Sequence, residues 1–133
     1  MLEDIERKEL IKHRIKKAKK TVEEIDFLIK NDLLDLAINR IYYGIFYMLS
    51  ALALKYQFST SKHHQLIGWF NKKFIKEGLI DKKYGSIIHK AYDKRTKGDY
   101  DDFVEFSKEE VSELFKNMKE FLFSIEELIS IND

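Results

Sequence analysis

The sequence predicts an all-α protein, an up-and-down antiparallel bundle of about five helices in a single domain that covers residues 1–133. A chain of 133 residues is the usual size of one domain. It contains no Pro, and Pro is the residue that interrupts helices, because its ring removes a backbone donor and clashes with the preceding turn. Apolar residues also recur at spacings of three and four, which is the period of an amphipathic helix.

The first helix is predicted over residues 3–30 from a stripe of apolar residues. The stripe places one apolar side chain on the same face at alternating intervals of four and three residues. Asn31 and Asp32 interrupt the pattern, and both residue types are good helix N-caps, so they are expected to cap the next helix. The stripe consists of Ile11, Ile15, Ala18, Val22, Ile25 and Ile29.

The second helix is expected from about residue 32 to residue 56 and is apolar on every face in its middle. A helix without a polar face is surrounded by protein, so this one belongs at the centre of the bundle or in a dimer interface. Residues 41–54 form the longest run without a charged residue. A membrane span needs about 20 apolar residues, so a buried helix is the better interpretation.

The third helix is expected over about residues 62–77. Ser59, Thr60 or Ser61 would cap its N-terminus. Gly78 is expected at its C-terminal end, where a positive φ is favoured.

The last two helices have start signals of their own. Asp81 is expected to cap a fourth helix that runs to about Lys97 and is closed by Gly98. Ser107 and Glu110 have the spacing of a capping box, which opens a fifth helix.

The charges are unevenly distributed along the chain. Residues 1–98 contain 21 Lys and Arg against 12 Asp and Glu, whereas residues 99–133 contain 3 against 11. Either helices paired in space balance these charges, or the field steers an anionic ligand to one end. The basic residues of the first helix likewise form a solvated face or a track for phosphates: Arg7, Lys8, Lys12, Arg14, Lys16, Lys17, Lys19 and Lys20.

Several classes of function find no support in the sequence. With no Cys there is no disulfide framework, thiolate metal site or Cys nucleophile. The glycines form no phosphate-binding loop, and the four His lack zinc-binding spacings. We therefore expect no metal and no cofactor. The N-terminus does not resemble a signal peptide, and we expect a soluble cytoplasmic protein that does not enter a membrane.

Three groups of polar residues lie in or beside the apolar segments and are the candidate functional residues. The chain has 20 Lys and only 4 Arg, and Arg offers a planar fork that suits carboxylate or phosphate. Each Arg could instead form a structural salt bridge, as Arg95 would with Asp99. Likewise, Tyr100 could be a packed ring, and the two histidines could be surface or capping residues. The groups are Asn39, Arg40 and Tyr43; Arg95, Asp99 and Tyr100; and His63 with His64.

At these positions the sequence resembles the HEPN family, in its small stand-alone prokaryotic branch. Residues 39–47, NRIYYGIFY, are similar to the RxYYAxFY helix of HEPN-domain proteins. The segments 63–78 and 91–103 resemble the family in the same order and spacing. The resemblance implies a helical bundle that commonly forms a homodimer. It also implies a partner, a minimal nucleotidyltransferase, with which such proteins form a toxin–antitoxin-like pair.

Many HEPN relatives are metal-independent endoribonucleases whose signature is Arg followed, after four to six residues, by His. The resemblance implies that His would handle a proton and Arg would stabilise charge on the phosphorus. Here the positions after Arg95 hold Tyr and Asp, at residues 100–102, so a base would have to come from His63 or His64. Tyr100 is the candidate for nucleotidylation by the partner enzyme.

Three hypotheses follow for the function. In the leading one, a HEPN homodimer binds nucleotide or RNA phosphate in a polar cleft, with Arg95 and Tyr100 at its opening. In the second, the protein is an endoribonuclease that uses Arg95 with a His of the third helix. In the third, it is a structural interaction module without chemistry. The cleft of the first hypothesis would be lined by Asn39, Arg40, Tyr43, Arg95, Asp99 and Tyr100.

Overall fold

A computed structural model describes residues 3–130, and this part of the chain contains five α-helices and no strand. The all-α bundle expected from the sequence is confirmed. The first, second and fifth helices are long, and a π-helical turn at Asn71–Ile75 extends the third. The helices are α1 (Asp4–Lys30), α2 (Leu34–Lys55), α3 (His63–Phe70), α4 (Lys83–Tyr100) and α5 (Lys108–Ser130).

Helix α2 lies at the centre of the bundle, as its apolar composition predicts. It packs against α1, α3, α4 and α5, and most of its side chains from Ala37 to Leu54 are buried. By length and composition α2 could also cross a membrane, but 67% of its most apolar stretch is buried inside the bundle. The central helix of a bundle has the same composition, so α2 gives only weak evidence for a membrane span.

A close approach of three helices explains the glycine in the middle of α2. A Cβ atom on Gly44 would lie 2.5 Å from Thr21 Oγ1 of α1 and would overlap Met118 Cε of α5. A side chain at this position would force Thr21 and Met118 to move. Gly44 therefore sets the distance of α2 from both of its long neighbours.

Three helical segments end in the same hydrogen-bonded turn, in which one residue has positive φ. After α1 this residue is Asp32, with a φ of 58°. Leu33 N–H donates to Leu28 O at 2.8 Å, and Asp32 N–H donates to Ile29 O at 3.1 Å. The prediction that Asp32 caps α2 is therefore wrong, because Asp32 belongs to the end of α1.

The end of α2 and the end of the π-helical turn repeat this geometry. Gln57 has a φ of 59° and Gly78 a φ of 73°. Leu79 N–H donates to Phe74 O at 2.9 Å, which confirms the role expected for Gly78. Gln57 was not expected in this conformation, because its side chain disfavours positive φ.

The third helix begins without the cap that the sequence predicts. Its N-cap residue is Lys62, which makes no capping hydrogen bond through its side chain. Thr60 Oγ1 accepts from Lys62 N–H at 3.2 Å, but Lys62 precedes the helix, so this bond satisfies none of the free N–H groups of its first turn. At the other end, Lys76 N–H donates to Asn71 O at 2.8 Å, which is the i→i+5 bond of a π-helical turn.

The start of α5 agrees with its sequence signal, whereas the end of α4 does not. Ser107 N–H donates to Glu110 Oε2 at 2.9 Å, and Glu110 N–H donates to Ser107 Oγ at 3.1 Å, so the capping box is confirmed. Helix α4 continues past Gly98 to Tyr100. Gly98 instead allows close packing, because a Cβ there would lie 3.3 Å from the Phe106 ring.

Ion pairs between helices balance part of the uneven charge along the chain. Acidic residues of α5 pair with lysines of α1 and α4, at N–O distances between 2.6 and 2.8 Å. This agrees with the explanation that helices paired in space neutralise each other. The three pairs are Lys19–Glu126, Lys83–Glu120 and Lys94–Glu110.

Candidate functional site

Arg95 of α4 lies against two adjacent tyrosines of the central helix. Its guanidinium carbon is 5.1 Å from the ring centroid of Tyr42 and 5.5 Å from that of Tyr43. The side chain is 26% exposed. A guanidinium within about 6 Å of an aromatic ring is attracted by the ring quadrupole, so the two rings hold Arg95 at the edge of the core.

The polar contacts of Arg95 leave part of its guanidinium unsatisfied. Nε lies 3.2 Å from Asp99 Oδ2, but the two atoms are not aligned for a hydrogen bond. Within residues 3–130, Nε is buried and has no hydrogen-bond acceptor. The guanidinium also donates to Tyr43 OH at 3.4 Å, a long contact. The residues described therefore leave the Arg95 guanidinium incompletely hydrogen-bonded.

His63, the first residue of α3, joins the same cluster. Its ring centroid lies 3.8 Å from that of Phe46 and 5.8 Å from that of Tyr43. Tyr42 OH and His63 Nδ1 are 2.7 Å apart and share a hydrogen bond, in which either group can supply the proton. Burial, and secondarily the positive charge of Arg95, lower the pKa of His63 below its ordinary value. The imidazole is therefore neutral at pH 7.

Tyr42 connects the imidazole to the guanidinium. Burial raises the pKa of Tyr42 to about 12, against the opposing effect of Arg95, so the phenol stays protonated at neutral pH. Its ring faces Arg95, and its hydroxyl contacts His63. The result is a compact cluster of Arg95, Tyr42, Tyr43, His63 and Asp99 where α2, α3 and α4 meet.

Arg40 and Asn39 lie on α2 beside this cluster. Arg40 lies 3.6 Å from Glu24 Oε1 of α1 and 5.9 Å from the Tyr43 ring centroid. Its Nε is buried and lacks a hydrogen-bond acceptor within the described residues. Asn39 is half-buried, and its side chain makes no hydrogen bond to residues 3–130. Tyr43 thus lies within cation–π distance of two arginines.

Tyr100 and His64 are not brought into the cluster. Tyr100 is the last residue of α4, and its side chain is 85% exposed. It takes part in no hydrogen bond, ion pair or ring contact with the part of the chain that the structure describes. His64 is also exposed. Arg95 is thus surrounded by Tyr42, Tyr43 and His63 rather than by Tyr100.

The sequence did not single out Tyr42 as a functional residue. It lies in an apolar helix and is 1% exposed, so its pattern is that of a core residue. The contact with His63 joins residues 21 positions apart, and helical periodicity carries no signal for such a pair. Among residues 3–130, no group of three or more His, Asp or Glu residues is placed to hold a metal ion.

Comparison with known proteins gives a family and several relatives. Residues 11–128 match the model of the HEPN domain. A UPF0332 protein of Thermotoga maritima is 36% identical over 124 residues, which cover 93% of this chain and 94% of the relative.

Two relatives come from Methanocaldococcus jannaschii. The protein named "Putative toxin MJ0142" is 36% identical over 108 residues, covering 81% of this chain and 74% of the relative. "Putative toxin MJ0605" is 37% identical over 93 residues, 70% of this chain and 69% of the relative. With a family match over nearly its whole length and relatives of this similarity, the chain belongs to the HEPN family.

Proposed function

We propose that this protein is the HEPN component of a toxin–antitoxin-like module and binds RNA or nucleotide phosphate at Arg95. The observation that carries the proposal is the half-buried Arg95 guanidinium, held over two tyrosine rings with its Nε unsatisfied. The two relatives named as toxins support the type of module. A minimal nucleotidyltransferase would be the partner, and both proteins would act in the cytoplasm.

The surroundings of Arg95 suit an anion that arrives from solvent. A partly desolvated cation interacts with a phosphate more strongly than a fully hydrated one does. The Tyr43 contact of 3.4 Å is weak enough to be exchanged for a charge-assisted hydrogen bond. Asp99 is the competing anion, and its carboxylate is 43% exposed, so it can turn toward water when phosphate binds.

Exposed aromatic side chains near the end of α4 support the assembly of two copies. Tyr100 is 85% exposed and Phe103 is 93% exposed. Large exposed aromatic groups are typical of association surfaces. In a homodimer formed through this region, two Arg95 sites would lie near one shared cleft. The same exposure leaves the Tyr100 hydroxyl accessible to a nucleotidylating partner.

A binding experiment with matched arginine variants tests the proposal. Fluorescence anisotropy of a labelled single-stranded RNA measures its affinity for the protein and for Arg95→Gln, with AMP as a competitor. We expect Arg95→Gln to weaken binding by about tenfold or more, because a charge-assisted contact is lost. Arg7→Gln is the control, since Arg7 pairs with Asp4 at 3.0 Å on α1. Equal affinities for the three proteins would contradict the proposal.

A second candidate function is metal-independent RNA cleavage, which the position of His63 favours. The neutral imidazole at the Arg95 cluster can accept a proton. In such a reaction the 2′-oxygen of RNA attacks phosphorus, its proton passes to the base, and the bond to the 5′-oxygen breaks. The products are a 2′,3′-cyclic phosphate and a 5′-hydroxyl, the latter protonated by an acid or by water. Arg95 would stabilise the charge on the phosphoryl oxygens.

Incubation of RNA with the protein in the presence of EDTA separates this function from binding alone. Cleavage that persists in EDTA and is lost in Arg95→Ala and His63→Gln, but not in His64→Gln, would support the enzyme. Binding without cleavage would leave the first proposal in place. If Arg95→Ala changed only thermal stability, and no RNA or nucleotide bound, the third hypothesis, a structural interaction module, would replace both.

A further inference from the structure

A second cluster of cations lines a cavity on a different part of the molecule. The cavity has a volume of about 390 Å³ and lies between α1, α2 and the loop before α3. Helix α1 contributes His13, Arg14 and Lys17. None of the residues that line the cavity is acidic. A cavity of this size that is lined by positive charges and by no negative charge attracts anions.

Arg14 is a half-buried cation without a partner in the part of the chain that the structure describes. It makes neither an ion pair nor a hydrogen bond with residues 3–130, in contrast to the Arg7–Asp4 pair one heptad earlier. Burial lowers the pKa of Arg14, but an arginine stays protonated at neutral pH. Removing such a group from water is unfavourable unless it is paired, and an anion would supply the missing partner.

Lys17 is held at the same cavity by an aromatic ring. Its Nζ lies 4.5 Å from the ring centroid of Tyr47, which also lines the cavity. Ser61 adds a hydroxyl that has no hydrogen-bond partner among residues 3–130. Helix α3 begins two residues after Ser61, and the partial positive charge of its N-terminus acts in the same direction.

We propose that this cavity is a binding site for a phosphate group, with Arg14 and Lys17 as its principal ligands. Guanidinium and ammonium groups together with a hydroxyl donor are the groups that bind phosphate in proteins. The site is separate from Arg95, but Phe46 lines the cavity and its ring lies 3.8 Å from that of His63. A nucleotide or an RNA strand could therefore occupy both regions.

Only part of the basic face of α1 belongs to the proposed site. Eight Lys and Arg residues lie between positions 7 and 20 of α1, but only Arg14 and Lys17 of these line the cavity. The other six do not line it. Two cations, rather than the whole run, carry the proposed specificity.

Isothermal titration calorimetry with three probes tests the site: inorganic phosphate, AMP and a short single-stranded RNA. Titrations at constant ionic strength exclude general screening. We expect the double variant Arg14→Gln/Lys17→Gln to weaken binding of at least one probe by about tenfold or more. The probe with the highest affinity distinguishes a free phosphate from a nucleotide or a strand.

Lys16→Gln is the matched control, because it removes one charge from the same helix at an exposed position outside the cavity. Its affinities should equal those of the unmodified protein. Arg95→Gln separates the two proposals. If the double variant loses phosphate binding and Arg95→Gln keeps it, the cavity binds phosphate, whether or not RNA binds at Arg95. Equal affinities of the double variant and Lys16→Gln for all three probes would overturn it. Circular dichroism establishes that each variant is folded.

Discussion

Arg95 is positioned by aromatic rings rather than by a strong acidic partner. Its carboxylate neighbour Asp99 lies on the same helix, one turn later, and is partly exposed. A surface ion pair of this kind contributes little to stability. The cation–π contacts with Tyr42 and Tyr43 hold the side chain while its donors remain available. We propose on this basis that Arg95 binds a ligand in addition to its ion pair with Asp99.

The lowered pKa of His63 predicts a loss of stability in acid. The folded protein binds a proton at His63 less readily than the unfolded chain, whose pKa is near the ordinary 6.5. Unfolding therefore takes up a proton in this range, so the contribution is complete above pH 6.5 and declines as pH falls toward the folded pKa. His64 is exposed, so His64→Gln is the control. Thermal melts between pH 5 and 7.5 should show that the melting temperature of His63→Gln falls less in acid than that of His64→Gln. Equal acid losses in the two variants would contradict this prediction.

We expect the hydrogen bond between Tyr42 and His63 to contribute measurably to the free energy of folding. Tyr42→Phe removes the hydroxyl and leaves a half-buried ring nitrogen without its partner, so we expect a loss of about 1 kcal/mol. Tyr47→Phe is the control, because Tyr47 OH makes no hydrogen bond to the residues described. Urea unfolding measures both free energies. A loss for Tyr42→Phe no larger than for the control would show that the 2.7 Å contact adds nothing.

Sequence pattern singled out individual residues of the candidate site, but not the residues that they contact. Arg95 and His63 stand out as a rare Arg and a His beside apolar segments. The partner of each comes from another helix: Tyr42 lies 21 positions before His63 and on a different helix from Arg95. Periodicity reports which face a residue occupies, and not which residue of another helix it meets.

At the scale of the helices, Gly44 and Gly68 offer a matched pair. Gly44→Ala would place a Cβ 2.5 Å from Thr21 Oγ1 and into Met118, so we expect a loss of about 1–3 kcal/mol from overpacking. Gly68 lies in α3 with no atom within 4 Å of the position of a Cβ. Gly68→Ala should therefore gain about 0.5–1 kcal/mol from lower backbone entropy in the unfolded chain. Chemical denaturation of both variants checks the opposite signs, and a loss of less than 0.5 kcal/mol for Gly44→Ala would contradict the packing.

Helix ends were predictable where the signal was local. The capping box of α5 involves residues three apart, and both of its bonds are present. The ends of α1 and α2 instead place Asp32 and Gln57 at positive φ, a conformation that Gln disfavours and that Asp adopts only occasionally. The hydrogen bonds of the turn offset the energetic cost of the positive φ. The residue types at these positions give no signal for such a turn. Gly98 is the opposite case. In the sequence it resembles a helix stop, whereas in the structure the helix continues and the glycine allows close packing against Phe106.

At the scale of the whole molecule, the exposed aromatic residues after α4 predict self-association. Phe103→Ser should shift a dimer toward monomer, because an apolar group at the interface is replaced by a polar one. Phe123→Ser is the control: Phe123 is an exposed phenylalanine of α5. Light scattering coupled to size-exclusion chromatography gives the mass of each. A monomer for the unmodified protein, or equal effects of the two variants, would contradict a dimer formed through this region.

The fold and the two proposed anion sites both depend on the uneven distribution of charge along the chain. Ion pairs of α5 neutralise part of the basic surface of α1 and α4, but most lysines of the described residues have no acidic partner. Two arginines differ from these lysines: Arg14 is half-buried without an acidic partner among residues 3–130, and the hydrogen-bonding groups of Arg95 are incompletely satisfied. The chain has only four arginines in total, which makes each one individually observable.

The most direct test of the Arg95 site is NMR spectroscopy of the arginine side chains during titration with RNA. Each of the four arginines gives one Nε–Hε signal, assigned by single Arg→Lys variants. The Arg95 signal should move as RNA binds, because its Nε lacks an acceptor in the free protein, whereas that of Arg7, paired with Asp4, should stay in place. RNA that binds without moving the Arg95 signal would contradict the central claim.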